Sequence, residues 1–269
     1  MKDWADYGIT GSVHYGQPIQ AAPYRRLIER KTVAAEAVLR DFFDRCGDAG
    51  YVSLSFGVDS LGAYHLAKRV NPAVRAVWVN QGPLAEWPDC LALKDLMVTD
   101  GLPLIEVQPD VTLYDWYRQQ GIPIGAGMGS ADDERLNDAL MYAPLRRWMD
   151  ADGVTGLIWG LRGTPRDTHR EGKHREILLC DRGQLFQRKT GVWVCSPVAW
   201  WSKREIFAYL DLHGLPYPAM YDVDREQVRN GPPIGASAMN MGRMNKMKLF
   251  FPAIWRVVVY EFPELQRFG

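Results

Sequence analysis

The residues best suited to chemistry form a short turn, SFGVDS, at residues 55–60. An alternating apolar run, YVSLSF at 51–56, leads into it, and LGAYHLA at 61–67 follows with the spacing of a helix. A glycine and two hydroxyls at the start of a helix leave backbone N–H groups uncovered, so this turn could hold an anion such as a phosphate. The same residue types are common in ordinary caps and turns. The turn alone therefore leaves an anion site and a structural turn equally open.

A second candidate group is the basic segment that follows a predicted strand at 154–159. Between Arg162 and Arg175 the sequence has five Arg or Lys residues and two acids. Planar guanidinium groups bind phosphate or sulfate oxygens through two parallel hydrogen bonds, which favours an anionic ligand at Arg162. For the rest of the segment, a solvated basic loop or a contact with a DNA backbone stays open.

The elements that must position these residues alternate between strand and helix. Helical spacing predicts helices at residues 23–46, 91–99 and 132–151, and strands are predicted at 74–80, 102–107 and 154–159. Residues 177–195 predict a hairpin, Ser202 with Glu205 predicts a capped helix, and the Met-, aromatic- and Lys-rich tail at 239–262 predicts one packed helix with a basic rim. Residues 1–22 lack clear periodicity and predict an irregular arm. This order is typical of an α/β domain with a parallel sheet.

Four segments together resemble one known family. SFGVDS resembles the SxGxDS pyrophosphate loop of the PP-loop, or adenine nucleotide alpha hydrolase-like, superfamily, and Gly160-Leu161-Arg162 resembles a Gly-x-Arg strand end of its phosphoadenosine phosphosulfate (PAPS) reductase family. SPVAWWS at 196–202 and LPYP at 215–218, followed by Tyr221-Asp222, resemble that family's Pro-Leu-x-x-Trp-Ser helix and its close. EWPD at 86–89 resembles, more loosely, the Pro-Glu-Thr-like segment that follows the second strand in this family. The family's second Arg follows its first by seven residues, whereas Arg162 and Arg170 are eight apart, so Arg166 or His169 could share that role.

The resemblance covers roughly residues 25–225 and implies a fold and a domain organisation. The fold is α/β, a Rossmann-like (HUP-type), mostly parallel sheet with helices on both faces and the PP-loop after the first strand. We expect an N-terminal arm at 1–22, the PP-loop domain at 23–225 and a C-terminal helical extension at 226–269.

The resemblance also implies a nucleotide site at the carboxyl ends of the strands. Asp59 and Arg162 are the expected catalytic residues, and Asp59 is also the expected Mg²⁺ ligand. The expected nucleotide-binding residues are Ser53, Ser55, Phe56, Gly57, Val58, Asp59, Ser60, Asn80, Gln81, Gly160, Arg162, Arg166 and Arg170. A solvated turn is nearly as good an interpretation of Asn80 and Gln81.

The expected reaction is cleavage of ATP to AMP and pyrophosphate, with adenylyl transfer to an unknown acceptor. Ser55, Gly57, Ser60 and loop amides would grip the β- and γ-phosphates, and Arg162 would stabilise developing charge. Related members act in DNA phosphorothioation and in phage-encoded clusters, so nucleic-acid modification and sulfur chemistry are candidate settings. Asp59 and Ser60 match the ATP-cleaving pattern. Phe56 departs from it, because the pattern usually has Gly at this position.

Two alternatives remain. The first is a sulfonucleotide reductase or PAPS-binding enzyme. Family reductases attack the sulfate sulfur with the thiolate of a C-terminal Glu-Cys-Gly-x-His motif, whereas residues 196–269 contain no cysteine. This alternative therefore requires Cys180 or Cys195 to be exposed near Arg162, or a thiol from elsewhere. The second alternative is a non-catalytic nucleotide-binding subunit.

Composition limits the partners. Lys plus Arg and Asp plus Glu number 32 each, so no global charge recruits nucleic acid or an anionic membrane, and any nucleic-acid contact would be local. The four cysteines form no CxxC pair, which predicts reduced thiols with neither zinc nor an iron-sulfur cluster. With no signal-like or membrane-spanning run, a cytoplasmic location is expected. The oligomeric state, including a homodimer, stays open.

Overall fold

A six-stranded sheet is the centre of the protein. The computed structural model describes residues 2–123, 131–163, 183–223, 232–234 and 242–269. The strand order is β4-β3-β2-β5-β7-β6, parallel except for β6, which pairs antiparallel with β7. A separate antiparallel pair joins β1 to β8. The strands are β1 Val13–Tyr15, β2 Gly50–Ser53, β3 Arg75–Val79, β4 Leu104–Val107, β5 Gly156–Trp159, β6 Leu185–Gln187, β7 Trp193–Cys195 and β8 Pro216–Pro218.

Helices surround this sheet, and no helix in the described ranges is long and apolar enough to cross a membrane. They are α1 Arg25–Cys46, α2 Val58–Val70, α3 Pro88–Thr99, α4 Leu113–Gln120, α5 Ala131–Asn137, α6 Ala143–Ala151, α7 Lys203–Leu212, α8 Arg243–Phe250 and α9 Pro252–Glu261. Short 3₁₀ helices lie at Trp4–Tyr7, Ala22–Tyr24, Gly47–Ala49, Ala219–Asp222 and Pro263–Phe268, and a π-helical turn lies at Asp138–Tyr142.

The two faces of the sheet are buried by different helices, because successive side chains of a strand point to opposite faces. Val52 and Ile158 belong to the large core that includes α2 and α7. Their neighbours Tyr51 and Leu157 belong to a smaller cluster with residues of α6, in which the ring of Trp148 lies 5.0 Å from that of Tyr51. The prediction of a mostly parallel Rossmann-like sheet with helices on both faces is confirmed.

The N-terminal arm is more regular than its sequence predicts. Trp4 is buried, and its indole N–H donates to the carbonyl of Glu86 at 2.7 Å. Residues 13–15 pair with 216–218. A three-residue strand and a single 3₁₀ turn are too short to give a periodic signal, so the prediction of an irregular arm was wrong there. The division of the chain at residues 22/23 and 225/226 stays a prediction.

Other boundaries differ where backbone geometry interrupts a periodic run. The predicted helix 132–151 is divided into α5 and α6 by the π-helical turn, and the predicted tail helix is divided into α8 and α9 at Phe251-Pro252. Proline ends α8 because it cannot donate the backbone hydrogen bond that a continuous helix needs. Of the predicted hairpin, β6 and β7 are seen, and residues 177–182 lie outside the described ranges. The capping box of Ser202 and Glu205 is present.

A polar contact joins α2, the helix that follows the 55–60 turn, to α7. His65 Nδ1 lies 2.7 Å from the hydroxyl of Tyr209, and the ring of His213 lies 5.2 Å from that of His65. Burial lowers the pKa of His65 to about 4, with smaller contributions from His213 and from the nearby cations Arg69 and Lys68. His65 is therefore neutral in the folded protein at physiological pH.

This pKa predicts acid sensitivity of the α2–α7 contact. Below an unfolded-state pKa near 6.5 the unfolded chain binds a proton that folded His65 does not bind, so the stability held above that pH is lost as pH falls towards 4. We expect His65→Gln to reduce the pH dependence of the unfolding free energy by up to about 1.4 kcal/mol per pH unit in this window.

Urea unfolding followed by circular dichroism at several pH values measures this effect. Between pH 7.5 and 8.5 the two proteins should show parallel pH dependence, which serves as an internal control. An unchanged slope between pH 4 and 6.5 would show that His65 accepts its proton without loss of packing.

Candidate functional site

The 55–60 turn is closed by its own serines. Ser60 Oγ donates to the Gly57 carbonyl at 2.9 Å and accepts from the Ser55 N–H at 3.2 Å, and the two hydroxyls lie 3.1 Å apart. Since Ser60 has one hydroxyl proton, Ser55 is the donor between them. Ser60 is buried and Ser55 is exposed. Ser60 therefore shapes the turn, while Ser55 faces its open side.

Phe56 adopts a backbone conformation that favours glycine. Its φ is +57°, in the left-handed region, and its side chain is fully buried. The ring packs edge-on against Trp78 of β3, with 5.9 Å between ring centroids. The left-handed backbone conformation costs a residue with a Cβ roughly 1–2 kcal/mol. Burial of a phenyl side chain contributes about 1.5–3 kcal/mol, which can offset this cost. The bulk of Phe56 thus lies in the core, away from the mouth of the turn.

The turn lies at the topological switch point of the sheet. From β2 the chain continues to β3 and β4 on one side, and β5 and β7 lie on the other. In open α/β sheets, ligands bind in the crevice outside the carboxyl ends of the strands at such a point. Here that crevice lies between the 55–60 turn after β2 and residues 160–163 after β5. We call this end of the sheet the carboxyl edge.

Gly160 brings the two sides of this crevice into contact. A Cβ placed on Gly160 would lie 2.5 Å from the Ser60 backbone nitrogen and 2.6 Å from its Cα, closer than real Cβ contacts. Only glycine therefore allows the end of β5 to approach the first turn of α2 in this way.

An ion pair spans the same crevice. Arg162 Nε donates to Asp59 Oδ1 at 2.8 Å, with side-chain exposures of 6% for Arg162 and 22% for Asp59. The Gly163 N–H donates to the Ala199 carbonyl at 2.7 Å, which anchors the segment that carries the arginine. Asp59 also lies in the first turn of α2, where the helix dipole favours a negative charge.

Of the other predicted nucleotide-binding residues, some lie beside the turn and some lie outside the described residues. Ser53 ends β2 in register with Val77 and Trp159, and Val58 is the buried first residue of α2. Arg166 and Arg170 lie outside the described residues, as do Cys180 and most of the Gly-rich segment at 121–130.

Asn80 and Gln81 lie at the carboxyl edge with internal partners. Asn80 Oδ1 accepts from the Gly82 N–H at 3.0 Å, and its Nδ2 donates to Glu106 at 3.3 Å. The Gln81 carbonyl accepts from the N–H of Leu113 at 2.9 Å. These contacts favour the turn interpretation for the Asn80 side chain. A direct role of either residue in nucleotide binding stays a prediction.

Sequence reasoning missed two features at this edge. The Arg188 guanidinium lies over the Trp159 ring at 4.5 Å, which places a cation beside the end of β5. The sequence gives no local signal for it, because Trp159 ends β5 whereas Arg188 follows β6. Helix α4 was not predicted either, although Thr112 accepts from the N–H of Asp115 in a capping arrangement that the sequence could have revealed.

Three cysteines are buried. Cys46, Cys90 and Cys195 have exposures of 7%, 0% and 0%. Burial raises the pKa of the Cys46 and Cys195 thiols, which disfavours the thiolate that a nucleophile requires. The sulfonucleotide alternative required Cys180 or Cys195 to be exposed near Arg162, and Cys195 does not meet this requirement because it is buried in β7, inside the sheet.

The side chains at the crevice supply only part of the ligands that Mg²⁺ requires. Among the residues that the structure describes, no three His, Cys, Asp or Glu side chains converge as a metal site. Mg²⁺ is commonly held by one or two carboxylates together with substrate phosphates. Asp59 fits Mg²⁺ only as one ligand beside a bound nucleotide, and Arg162 already bonds to one of its oxygens.

Comparison with known proteins identifies the family. The sequence model of the phosphoadenosine phosphosulfate reductase domain matches residues 50–228, more than half of the chain. The chain belongs to this family. An adenosine 5′-phosphosulfate reductase of Bacillus mycoides is 27% identical over 195 residues, covering 72% of this chain and 77% of the relative. A phosphoadenosine 5′-phosphosulfate reductase of Synechococcus is 23% identical, covering 70% and 76%.

A solved structure shares the fold of this family member. The PAPS reductase of Candida auris, solved as a phosphate complex, matches with a TM-score of 0.51 and 14% identity, over 73% of this chain and 90% of that chain. The match supports a Rossmann-like fold, and the family supports an enzyme that binds an adenine nucleotide.

The contact at Gly160 predicts a selective loss of function. We expect Gly160→Ala to displace the first turn of α2 and abolish nucleotide binding, since its Cβ would collide with backbone atoms. Gly62→Ala is the matched control on the same helix. Its Cβ would lie 3.6 Å from Ile206 Cδ1, an ordinary contact, and it should stabilise α2 by about 0.5–1 kcal/mol. Thermal unfolding with and without nucleotide measures both, and normal binding by Gly160→Ala would show that this close approach is dispensable.

Proposed function

We propose that this PAPS reductase family member binds an adenine nucleotide across the crevice between β2 and β5 and cleaves ATP, releasing pyrophosphate and transferring the AMP group to an acceptor. The observation that carries the proposal is the Arg162–Asp59 ion pair, which holds a buried guanidinium at the mouth of the 55–60 turn. A fixed guanidinium beside the amino end of a helix suits a phosphate tail. Asp59 and Ser60 complete the SxGxDS pattern of the ATP-cleaving enzymes.

The proposed chemistry is adenylyl transfer. An acceptor oxygen attacks the α-phosphorus of ATP, the bond from that phosphorus to the α–β bridging oxygen breaks, and pyrophosphate leaves. Loop amides and Ser55 hold the departing phosphates, and Arg162 stabilises the charge that develops on them. Mg²⁺, with Asp59 as its protein ligand, would neutralise part of that charge. Asp59 would then exchange part of its contact with Arg162 for the metal.

A sulfonucleotide is the second candidate ligand, favoured by the reductases named among the relatives. A sulfate-bearing tail would suit the same turn and Arg162. Reduction additionally needs a thiolate, which Cys46, Cys90 and Cys195 are too buried to provide. Cys180, outside the described residues, or a thiol of another protein would have to supply it.

Ligand-induced thermal shifts distinguish the candidates. ATP with Mg²⁺ is expected to give the largest shift among ATP, AMP, adenylylsulfate and PAPS, because it is the proposed substrate. A ligand at about 100 times its dissociation constant adds about 2.7 kcal/mol to the unfolding free energy. Pyrophosphate release then tests turnover. A larger shift with PAPS, independent of Mg²⁺, contradicts ATP cleavage and directs attention to Cys180. Binding of ATP without turnover under any acceptor condition would indicate a non-catalytic subunit.

Two substitutions separate binding from chemistry. Asp59→Asn retains an oxygen that accepts from Arg162 but loses the charge, so we expect it to keep Mg²⁺-free nucleotide binding and to lose Mg²⁺-dependent pyrophosphate release. Arg162→Gln should weaken binding at least tenfold, because it removes the buried cation. Asp41→Asn is the matched control, since it disrupts the exposed Asp41–Arg45 pair on α1. Full turnover by Asp59→Asn would exclude its role as the metal ligand.

A further inference from the structure

The outer side of the two C-terminal helices exposes aromatic and aliphatic side chains. Leu249, Phe250 and Tyr260 are 73%, 51% and 77% exposed. Ala253, Arg256 and Tyr260 follow one another on a single face of α9, at spacings of three and four residues. We define the C-terminal surface as Lys248, Leu249, Phe250, Ala253, Arg256 and Tyr260, all of which are exposed.

This surface carries charge of one sign. Residues 242–260 include four basic residues, Arg243, Lys246, Lys248 and Arg256, and no Asp or Glu, in a chain whose charges balance overall. Neither Lys248 nor Arg256 forms an ion pair with any residue in the described ranges. The surface therefore has a local positive potential that the composition of the whole chain conceals.

The C-terminal helices lie at the carboxyl edge, where the nucleotide site is. The ring of Phe251, between α8 and α9, lies 5.3 Å from that of Trp87, which precedes α3 after the end of β3. The ring of Phe262 lies 5.2 Å from that of Tyr114 in the first turn of α4, after β4. A ligand on the C-terminal surface would thus lie on the same side of the sheet as the 55–60 turn.

A cleft continues the surface beyond Tyr260. It has a volume of about 410 Å³ and is lined by Lys2, Tyr7, Asp115, Arg118, Tyr260 and Glu261. Arg118 pairs with both acids, and the Tyr7 hydroxyl donates to Glu261 at 2.7 Å. The paired charges leave the cleft nearly neutral, with two tyrosines in its wall. Its size is that of a small-molecule site, and its character suits a planar polar ring rather than a phosphate.

Charge and shape argue against two other occupants. A second copy of the chain in a two-fold contact would bring Lys248 and Arg256 of both copies into one interface, which is repulsive. A membrane surface would require a broad apolar face, but the apolar residues Ile254, Val257 and Val258 of α9 are buried in the core. The combination of unpaired cations and separate exposed rings instead matches a polyanion with stacking groups.

We propose that the C-terminal surface binds single-stranded nucleic acid. Lys248 and Arg256 contact its phosphates, Phe250 and Tyr260 stack on its bases, and the cleft accepts one base. If the proposed adenylyl transfer is correct, this strand is the acceptor or carries it, and that part of the inference rests on the proposed function. Nucleic-acid binding itself is independent of ATP cleavage.

Fluorescence anisotropy with labelled RNA and DNA strands of about 20 nucleotides, longer than typical single-strand site sizes, tests binding. We expect log K to fall linearly with log salt, and Lys248→Gln/Arg256→Gln to reduce the steepness of that slope by about 1.4, for two phosphates. Phe250→Ser/Tyr260→Ser removes two stacking side chains and should weaken binding by at least about thirtyfold without changing the slope. The matched control is Arg30→Gln/Lys68→Gln, two exposed cations on α1 and α2, which should behave like the wild type.

The outcomes separate this inference from the proposed function. Asp59→Asn should bind the strands normally while losing Mg²⁺-dependent pyrophosphate release. Wild-type protein that binds the strands but releases no pyrophosphate would overturn only the proposed function. Failure of wild-type protein to bind either strand, with ATP turnover intact, overturns this inference alone. It is also overturned if phosphatidylserine vesicles bind and strands do not, or if Phe250→Ser/Tyr260→Ser converts a dimer into monomers in sedimentation without affecting strand binding.

Discussion

The contact between the end of β5 and the start of α2 is the constraint on which the candidate site depends. Gly160 lets the two backbones approach, and the Arg162–Asp59 pair then joins them across the crevice. Burying a guanidinium is costly unless a partner offsets the desolvation, so Asp59 both pays that cost and fixes where the cation lies. An anion that enters the crevice meets a cation already in place, and little side-chain entropy remains to be lost on binding.

Phe56 illustrates how packing can retain a backbone shape without the residue that most easily adopts it. The ATP-cleaving pattern usually has glycine at this position, and glycine adopts a left-handed conformation most easily. Here Phe56 adopts that conformation with its phenyl ring buried against Trp78. The bulk of Phe56 therefore lies in the core rather than at the mouth of the turn. The choice between the two proposed ligands, ATP and a sulfonucleotide, rests on the chemistry that follows binding.

That chemistry is where this chain departs from the reductases of its family. The fold is shared, but the thiols of Cys46, Cys90 and Cys195 are buried, and burial raises the pKa of Cys46 and Cys195. In contrast, the carboxylate of Asp59 and the cation of Arg162 lie in the crevice itself. These groups are the basis for proposing phosphate chemistry rather than thiol chemistry among the residues that the structure describes.

The sheet, the 55–60 turn and the capped helix α7 could be predicted from the sequence, because each depends on a local signal. Alternating apolar residues indicate the strands, a glycine after a strand indicates the turn, and a serine followed three residues later by a glutamate indicates the start of α7. It could place Asp59 and Arg162 in one site only through the family resemblance, since they are 103 positions apart in the chain. The pairing of Asp59 with Arg162, the burial of Cys195 and the stacking of Arg188 on Trp159 are seen only in the tertiary structure. Each of these depends on which strands become neighbours, and that is settled by packing of the whole chain rather than by any local pattern.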